Sequence, residues 1–204
     1  MTLRLMTAIL SLGLLTATSA WAAPTVGQPA PAFRALDTRG QPVQLSDFRG
    51  KHVVLEWVNP GCPFVRKHYG GNMQATQQSA TDRGVVWLTI SSTEPASADY
   101  KKPADLGAWM ASQNARATAT LMDDDGKVGR AYGARTTPHM YVIDPQGILV
   151  YAGAIDSRPT ARVSDIEGAT NYVRQALDEL LAGKPVSTPV TQAYGCSIKY
   201  MNAG

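Results

Sequence analysis

The chemistry of this chain centres on a thiol, Cys62, set in the stretch EWVNPGCPFVRKHYG. An apolar run, HVVLEWV, gives way there through Asn59-Pro60-Gly61 to a helix-compatible segment that begins at Pro63. A strand running into a helix leaves the first helical N–H groups free and exposes the positive end of the helix dipole. Cys62 takes the cap position, and Pro63 suits the first helical position, where a missing N–H costs nothing. A thiolate at such a cap accepts backbone N–H bonds, and Arg66 at i+4 adds a nearby cation. Both effects lower a thiol pKa and raise the fraction of nucleophile at neutral pH. The competing role is a small buried hydrophobe, the usual fate of a free cysteine. Against it, the Pro-Gly before Cys62 and the Pro after it build a turn, and turns lie at the surface.

The elements that must position this thiol can be read along the chain. HVVLEWV and GVVWLTIS (84 to 91) are near-continuous apolar runs of the kind found in strands covered on both faces. Between them, the segment from Pro63 to about Thr81 is predicted helical, with a break at Gly70-Gly71. Turn signals at Arg39-Gly40 and Arg49-Gly50 separate short strand-like pieces before the first run. A second helix is expected over 103 to 115, with Leu106, Trp109 and Met110 on one face. HMYVIDPQGILVYAGA is a strand, a turn and an antiparallel strand. ATNYVRQALDELLAGKP is a final helix stopped at Gly183. Strands alternating with helices and closing in a hairpin plus helix predict an α/β fold, a mixed sheet with helices on both faces.

The length of 204 residues, with 44% hydrophobic and 17% charged residues, suits one globular domain and a tail. A net charge of +3 without a basic block argues against nucleic acid as the main partner. At the start, MTLRLMTAILSLGLLTATSAWAAPTVG has Arg4 ahead of a short apolar run and an A-x-A site, the pattern of a secretory signal cleaved after Ala22. An uncleaved anchor is the alternative. Either places the folded part outside the cytoplasm, periplasmic or secreted, where cysteines can pair. The expected organisation is a signal over residues 1–22, a domain over 23–185 and a tail over 186–204.

Over residues 27 to 182 the sequence resembles the thioredoxin-like superfamily, in particular the secreted or periplasmic branch grouped with AhpC/TSA peroxiredoxins and TlpA/ResA-type oxidoreductases. The marks are GQPAPAFRALDTRGQPVQLSDFRGKHVVLEW, the cysteine six residues after Glu56, and TTPHMYVIDPQG with the strand that follows. The resemblance implies a thioredoxin-like fold and a redox-active cysteine. It also implies that Thr137-Pro138 is a cis-proline loop placing the Thr137 backbone against Cys62 and offering an edge for a substrate segment. A trans proline starting a strand is the alternative. Glu56 matches a buried acid that relays protons to the active-site thiols; a partly exposed glutamate paired with a lysine or arginine is the competing role. Arg66 joins Thr137 and Pro138 as a candidate substrate contact.

The chain departs from the family patterns in two ways. Val65 stands where thioredoxins have their second cysteine. Asn59, Leu55 and Pro138 stand where peroxiredoxins have threonine, proline and arginine, so the peroxide-activating set is incomplete. A thiolate that attacks a disulfide, or is oxidised to a sulfenic acid, needs a second thiol to release its product. Cys196, in AYGCSIKY, is the one other cysteine. Three arrangements stand open: a reversible Cys62–Cys196 disulfide, a permanent staple, or two separate thiols.

The leading expectation is therefore a cell-envelope thiol-disulfide oxidoreductase with Cys62 as nucleophile and Cys196 as resolving thiol, acting on protein or small-molecule thiols and disulfides without metal or organic cofactor. A peroxiredoxin-like antioxidant peroxidase acting on peroxides is the near alternative. A copper-binding protein resembling the Sco proteins is a third, though Arg66 stands where their second cysteine would be and His68 and His139 lack ligand spacing. A fourth, a redox-inert binding module, gains if Cys62 is buried. His52 and His68 read as surface residues, His139 as lying at the edge of the site, and Asp123 to Gly126 as a solvated turn before a helix.

Overall fold

The two apolar runs become the centre of a seven-stranded sheet. The computed structural model describes residues 24–201, so the expected signal segment lies outside the described residues. The strands are β1 (Arg34–Asp37), β2 (Pro42–Gln44), β3 (Val53–Trp57), β4 (Val86–Ser91), β5 (Ala119–Met122), β6 (Thr136–Thr137), β7 (His139–Ile143), β8 (Leu149–Gly153) and β9 (Cys196–Ser197). The main sheet runs β2-β1-β5-β4-β3-β7-β8, and β6 pairs with β9 apart from it. β3 pairs in parallel with β4, and β4 with β5, while β7 and β8 join antiparallel beside β3. Every residue of β3 and β4 is buried. Parallel strands covered on both faces need apolar side chains in both directions, hence the near-continuous runs, interrupted by Glu56 in β3 and by Thr89 and Ser91 in β4.

The helices are α1 (Pro63–Tyr69), α2 (Asn72–Thr81), α3 (Pro103–Ser112), α4 (Lys127–Tyr132) and α5 (Tyr172–Leu181). On one face of the sheet Val54, Val58 and Trp87 pack with Val65 of α1, Met73 of α2, Met110 of α3 and Leu177 of α5. On the other, Leu55, Leu88 and Leu121 pack with Val128 and Tyr132 of α4. The fold is thioredoxin-like α/β, as expected. The helix break falls at the two glycines: Gly71 has φ +127°, a conformation that L side chains rarely adopt. Among the described residues no helix is long and apolar enough to cross a membrane.

The tail turns back across the domain. Beside β8, Ala152 N–H donates to Pro189 and Thr191 N–H to Ala152, and further on Ile198 N–H donates to the Arg135 carbonyl at 3.0 Å. Tyr200 closes the run by donating to the Ala134 carbonyl at 2.8 Å. Asp123, expected in a solvated turn, is 4% exposed: it accepts the N–H groups of Val128 and Gly129 and the Ser92 hydroxyl, capping α4 from inside the protein. The free amides at that helix start need an acceptor, and a buried carboxylate supplies two oxygens.

Candidate active site around Cys62

β3 ends in a turn built by its own side chains. The Asn59 carboxamide oxygen accepts the Gly61 N–H at 2.7 Å and the Asn59 carbonyl accepts the Cys62 N–H at 3.0 Å. Cys62 then caps α1 with Pro63 inside the first turn, as its position predicts. Its sulfur, however, makes no bond to the helix amides. It donates to the Thr137 carbonyl at 3.0 Å and is 2% exposed. The expected surface thiol held by amides is thus a buried thiol turned toward β6. Arg66 lies on the exposed side of α1 with Nε donating to the Pro60 carbonyl at 2.8 Å; its backbone N–H donates to the Cys62 carbonyl at 3.0 Å, but among the described residues its guanidinium makes no hydrogen bond to the Cys62 sulfur.

Thr137-Pro138 is a cis peptide, as the resemblance implies. Its expected open edge is taken by the tail: β9 pairs antiparallel with β6, setting Cys196 opposite Thr137. The close approach depends on Gly195, with φ +136° and no room for a Cβ against the Thr137 carbonyl, the same group that accepts from Cys62. Both cysteines are free thiols in this structure, so what is present is their juxtaposition and not the bond. Burial above all, with the neighbouring Cys62 adding to it, pushes the Cys196 thiol up to about 12. The tail thus packs over Cys62, which belongs to the same buried core cluster as Val58 and Val65.

Glu56 is fully buried, and the ion-paired alternative is excluded by its partners. It accepts from Trp87 Nε1 at 2.7 Å, the Tyr69 hydroxyl at 2.8 Å, Gln77 Nε2 at 3.0 Å and the Thr89 hydroxyl at 3.4 Å, all uncharged. Burial raises its pKa, and these four bonds hold the rise back. None of the four is a cysteine: among the described residues no hydrogen bond runs directly from Glu56 to Cys62 or Cys196.

His139 accepts at Nδ1 from the Arg135 N–H at 3.3 Å and stacks beside Tyr141 with ring centres 4.6 Å apart. His68, expected at the surface, is fully buried. It belongs to a polar knot that sequence reasoning missed. Lys67, itself buried, pairs with Asp156 at 3.2 Å and donates to the Arg158 carbonyl at 2.8 Å. Tyr194 of the tail donates to Asp156 and lies 3.0 Å from His68 Nε2. Burial drives the His68 pKa down to about 4, Asp156 opposing and Lys67 adding to the fall, so the ring is neutral at pH 7. The signal in the sequence was faint: a Lys-His pair in a helix whose other face is apolar.

Comparison with known proteins places this geometry. A model of the AhpC/TSA family matches residues 26–152, a span that holds Cys62, Thr137 and Pro138 and stops short of Cys196. The thiol:disulfide interchange protein DsbE of Escherichia coli (strain K12) is 28% identical over 145 residues, 70% of this chain and 72% of that protein. Among solved structures, an uncharacterized conserved protein from Geobacillus kaustophilus superposes with a TM-score of 0.79 at 26% identity, covering 88% of this chain and 94% of that one. The thioredoxin domain of thiol-disulfide oxidoreductase BVU-2223 from Bacteroides vulgatus gives a TM-score of 0.52 at 26% identity, covering 71% and 97%.

Proposed function

We propose that this chain, which belongs to the AhpC/TSA family, is an oxidoreductase that exchanges thiols and disulfides in the cell envelope through Cys62, with Cys196 as its resolving thiol. The observation that carries the reading is the meeting of both thiols at Thr137: its carbonyl accepts from Cys62 and its strand partner is Cys196. Similarity to a thiol:disulfide interchange protein and to a thiol-disulfide oxidoreductase domain supports the reaction class. The expected signal supports a periplasmic or secreted location, and the substrates are protein or small-molecule thiols and disulfides.

Cys62 loses its proton to solvent and attacks one sulfur of a substrate disulfide, whose other sulfur leaves as a thiolate with the bonding electrons. In that mixed disulfide the Cys62 sulfur carries no charge, so part of what holds Cys196 protonated is removed. Cys196 then gives up its proton and attacks the Cys62 sulfur, the second substrate thiolate departs, and the Cys62–Cys196 bond is formed. One disulfide is reduced and one is made; a dithiol donor resets the pair, and the same steps reversed oxidise a substrate. Because Cys62 is covered in the closed form, the tail must lift for the first attack.

The burial of Cys62 favours one other reading, the redox-inert binding module. Although Cys62 lies in the core cluster on the α1 side of the sheet, a second cysteine is paired beside it at Thr137, which favours exchange. Peroxide reduction finds little support in the site: Pro138 replaces the arginine, and Arg66 is turned to the Pro60 carbonyl. The test is turnover of a model disulfide by the wild type, Cys62→Ser and Cys196→Ser. The proposal expects no turnover in Cys62→Ser and a stable mixed disulfide, visible by intact mass, in Cys196→Ser. Equal turnover in all three would overturn it, and fast peroxide consumption lost in Cys62→Ser would move the function to peroxide reduction.

A further inference from the structure

The knot around Lys67 is set apart from the chemistry of the sulfurs, yet it joins the pieces that carry them. Lys67 and His68 lie on α1, the helix capped by Cys62, and Tyr194 lies two residues before Cys196. Asp156 comes from the loop after β8. The hydrogen bonds form an ordered chain: Asn72 Nδ2 donates to His68 Nδ1 at 2.8 Å, His68 Nε2 donates to the Tyr194 oxygen, and Tyr194 donates to Asp156. Lys67 neutralises Asp156, and its Nζ lies 5.5 Å from the centre of the Tyr194 ring. The ring edge also packs on Phe64 of α1, with centres 5.7 Å apart.

A buried ion pair does little for net stability, but removing one partner from such a set leaves the others unsatisfied at high cost. The tail hydroxyl completes this set: without it, the His68 N–H loses its acceptor and Asp156 one of its donors. The knot therefore favours the tail in place over the tail free. A single residue, Gly195, then separates the fastened Tyr194 from Cys196 and lets the backbone reach β6.

We propose that Tyr194 is a positioning residue: clasped by Lys67, His68 and Asp156, it holds Cys196 at Cys62 and so sets the effective concentration with which the two sulfurs close. This rests on the resolving role given above to Cys196. Closing a disulfide from a docked tail costs less chain entropy than closing it from a free one. The clasp therefore makes the pair more reducing than the same two cysteines on a loose tail.

The test equilibrates the wild type and Tyr194→Phe in glutathione buffers and reads the oxidised fraction by intact mass. Loss of one buried hydroxyl's bonds corresponds to a closure constant about tenfold to a hundredfold lower, moving the potential upward by about 30 mV for each tenfold. In a Cys62→Ser background, Tyr194→Phe is expected to speed alkylation of Cys196 by about tenfold, the same loss read as tail opening. Asn72→Ala, which removes only the amide orienting His68, is expected to shift both readouts the same way by less and serves if Tyr194→Phe does not fold. Val86→Ala, a core truncation on β4, controls for general loss of stability. An unchanged closure constant in a folded Tyr194→Phe, or an equal shift in Val86→Ala, overturns the clasp. A wild type that forms no internal disulfide at any glutathione ratio overturns instead the resolving role of Cys196.

Discussion

Gly195→Ala is the sharpest probe of whether the tail governs access to Cys62. At φ +136° an alanine adopts a backbone conformation that costs about 1–3 kcal/mol. Its Cβ would sit 2.7 Å from the Thr137 carbonyl carbon and 3.3 Å from Pro138 N, both backbone atoms, so no side-chain rotation relieves the contact. The pairing of Cys196 with Thr137 must open, at about 0.5–1.5 kcal/mol for each backbone bond given up. Together these weaken docking of the segment by about 2–4 kcal/mol, which raises the open fraction roughly 30-fold or more. The assay is the rate of iodoacetamide labelling of Cys62 in a Cys196→Ser background, followed by intact mass. Gly183→Ala is the control: its φ is +71° but nothing lies within 4 Å of the added Cβ, so it carries backbone strain without displacing β9. Labelling of Cys62 at the wild-type rate in Gly195→Ala would refute the tail as its cover, as would equal acceleration in the control.

Three other perturbations follow from buried polar groups. Glu56 has a folded pKa raised above its ordinary 4.5, so the folded state holds a proton the unfolded chain has lost, and stability falls as pH rises toward the folded value. Glu56→Gln removes that titration and can keep the bonds, with its amide oxygen facing Trp87 and Gln77 and its NH2 facing the Tyr69 hydroxyl. Unfolding free energies from urea titrations are expected to fall in the wild type relative to the variant as pH rises above the ordinary 4.5, by up to about 1.4 kcal/mol per pH unit while the folded group stays protonated. Parallel pH profiles would contradict the assignment. Asp156→Ala strands Lys67 as a buried charge and is expected to destabilise the protein by about 3–5 kcal/mol, measured by chemical denaturation; a loss under about 1 kcal/mol would mean the ammonium finds water. Asp123→Ala removes the cap of α4, and a loss of about 2 kcal/mol is expected by the same method.

Much of this protein is decided locally and was legible in its residues. The strands β3 and β4 follow from near-continuous apolar runs, the break between α1 and α2 from paired glycines, and the position of Cys62 from a strand that meets Pro63. Those features depend on neighbours a few residues apart, where backbone preference and apolar spacing already choose among few conformations. The direction of the Cys62 sulfur does not: amides of its own helix and a carbonyl 75 residues away compete for it, and the carbonyl takes it.

Still longer separations lie between Lys67 and His68 and their partners. A lysine reads as solvated until an aspartate 89 residues on and a tyrosine 127 residues on arrive to satisfy it. The sequence by itself determined the frame, the thiol at a helix start and the second thiol in a tail. Only the tertiary structure decided that the tail returns to Thr137, covers Cys62 and is fastened by a buried charge pair, because burying polar groups is favourable only when all the partners, drawn from three separate parts of the chain, are present at once.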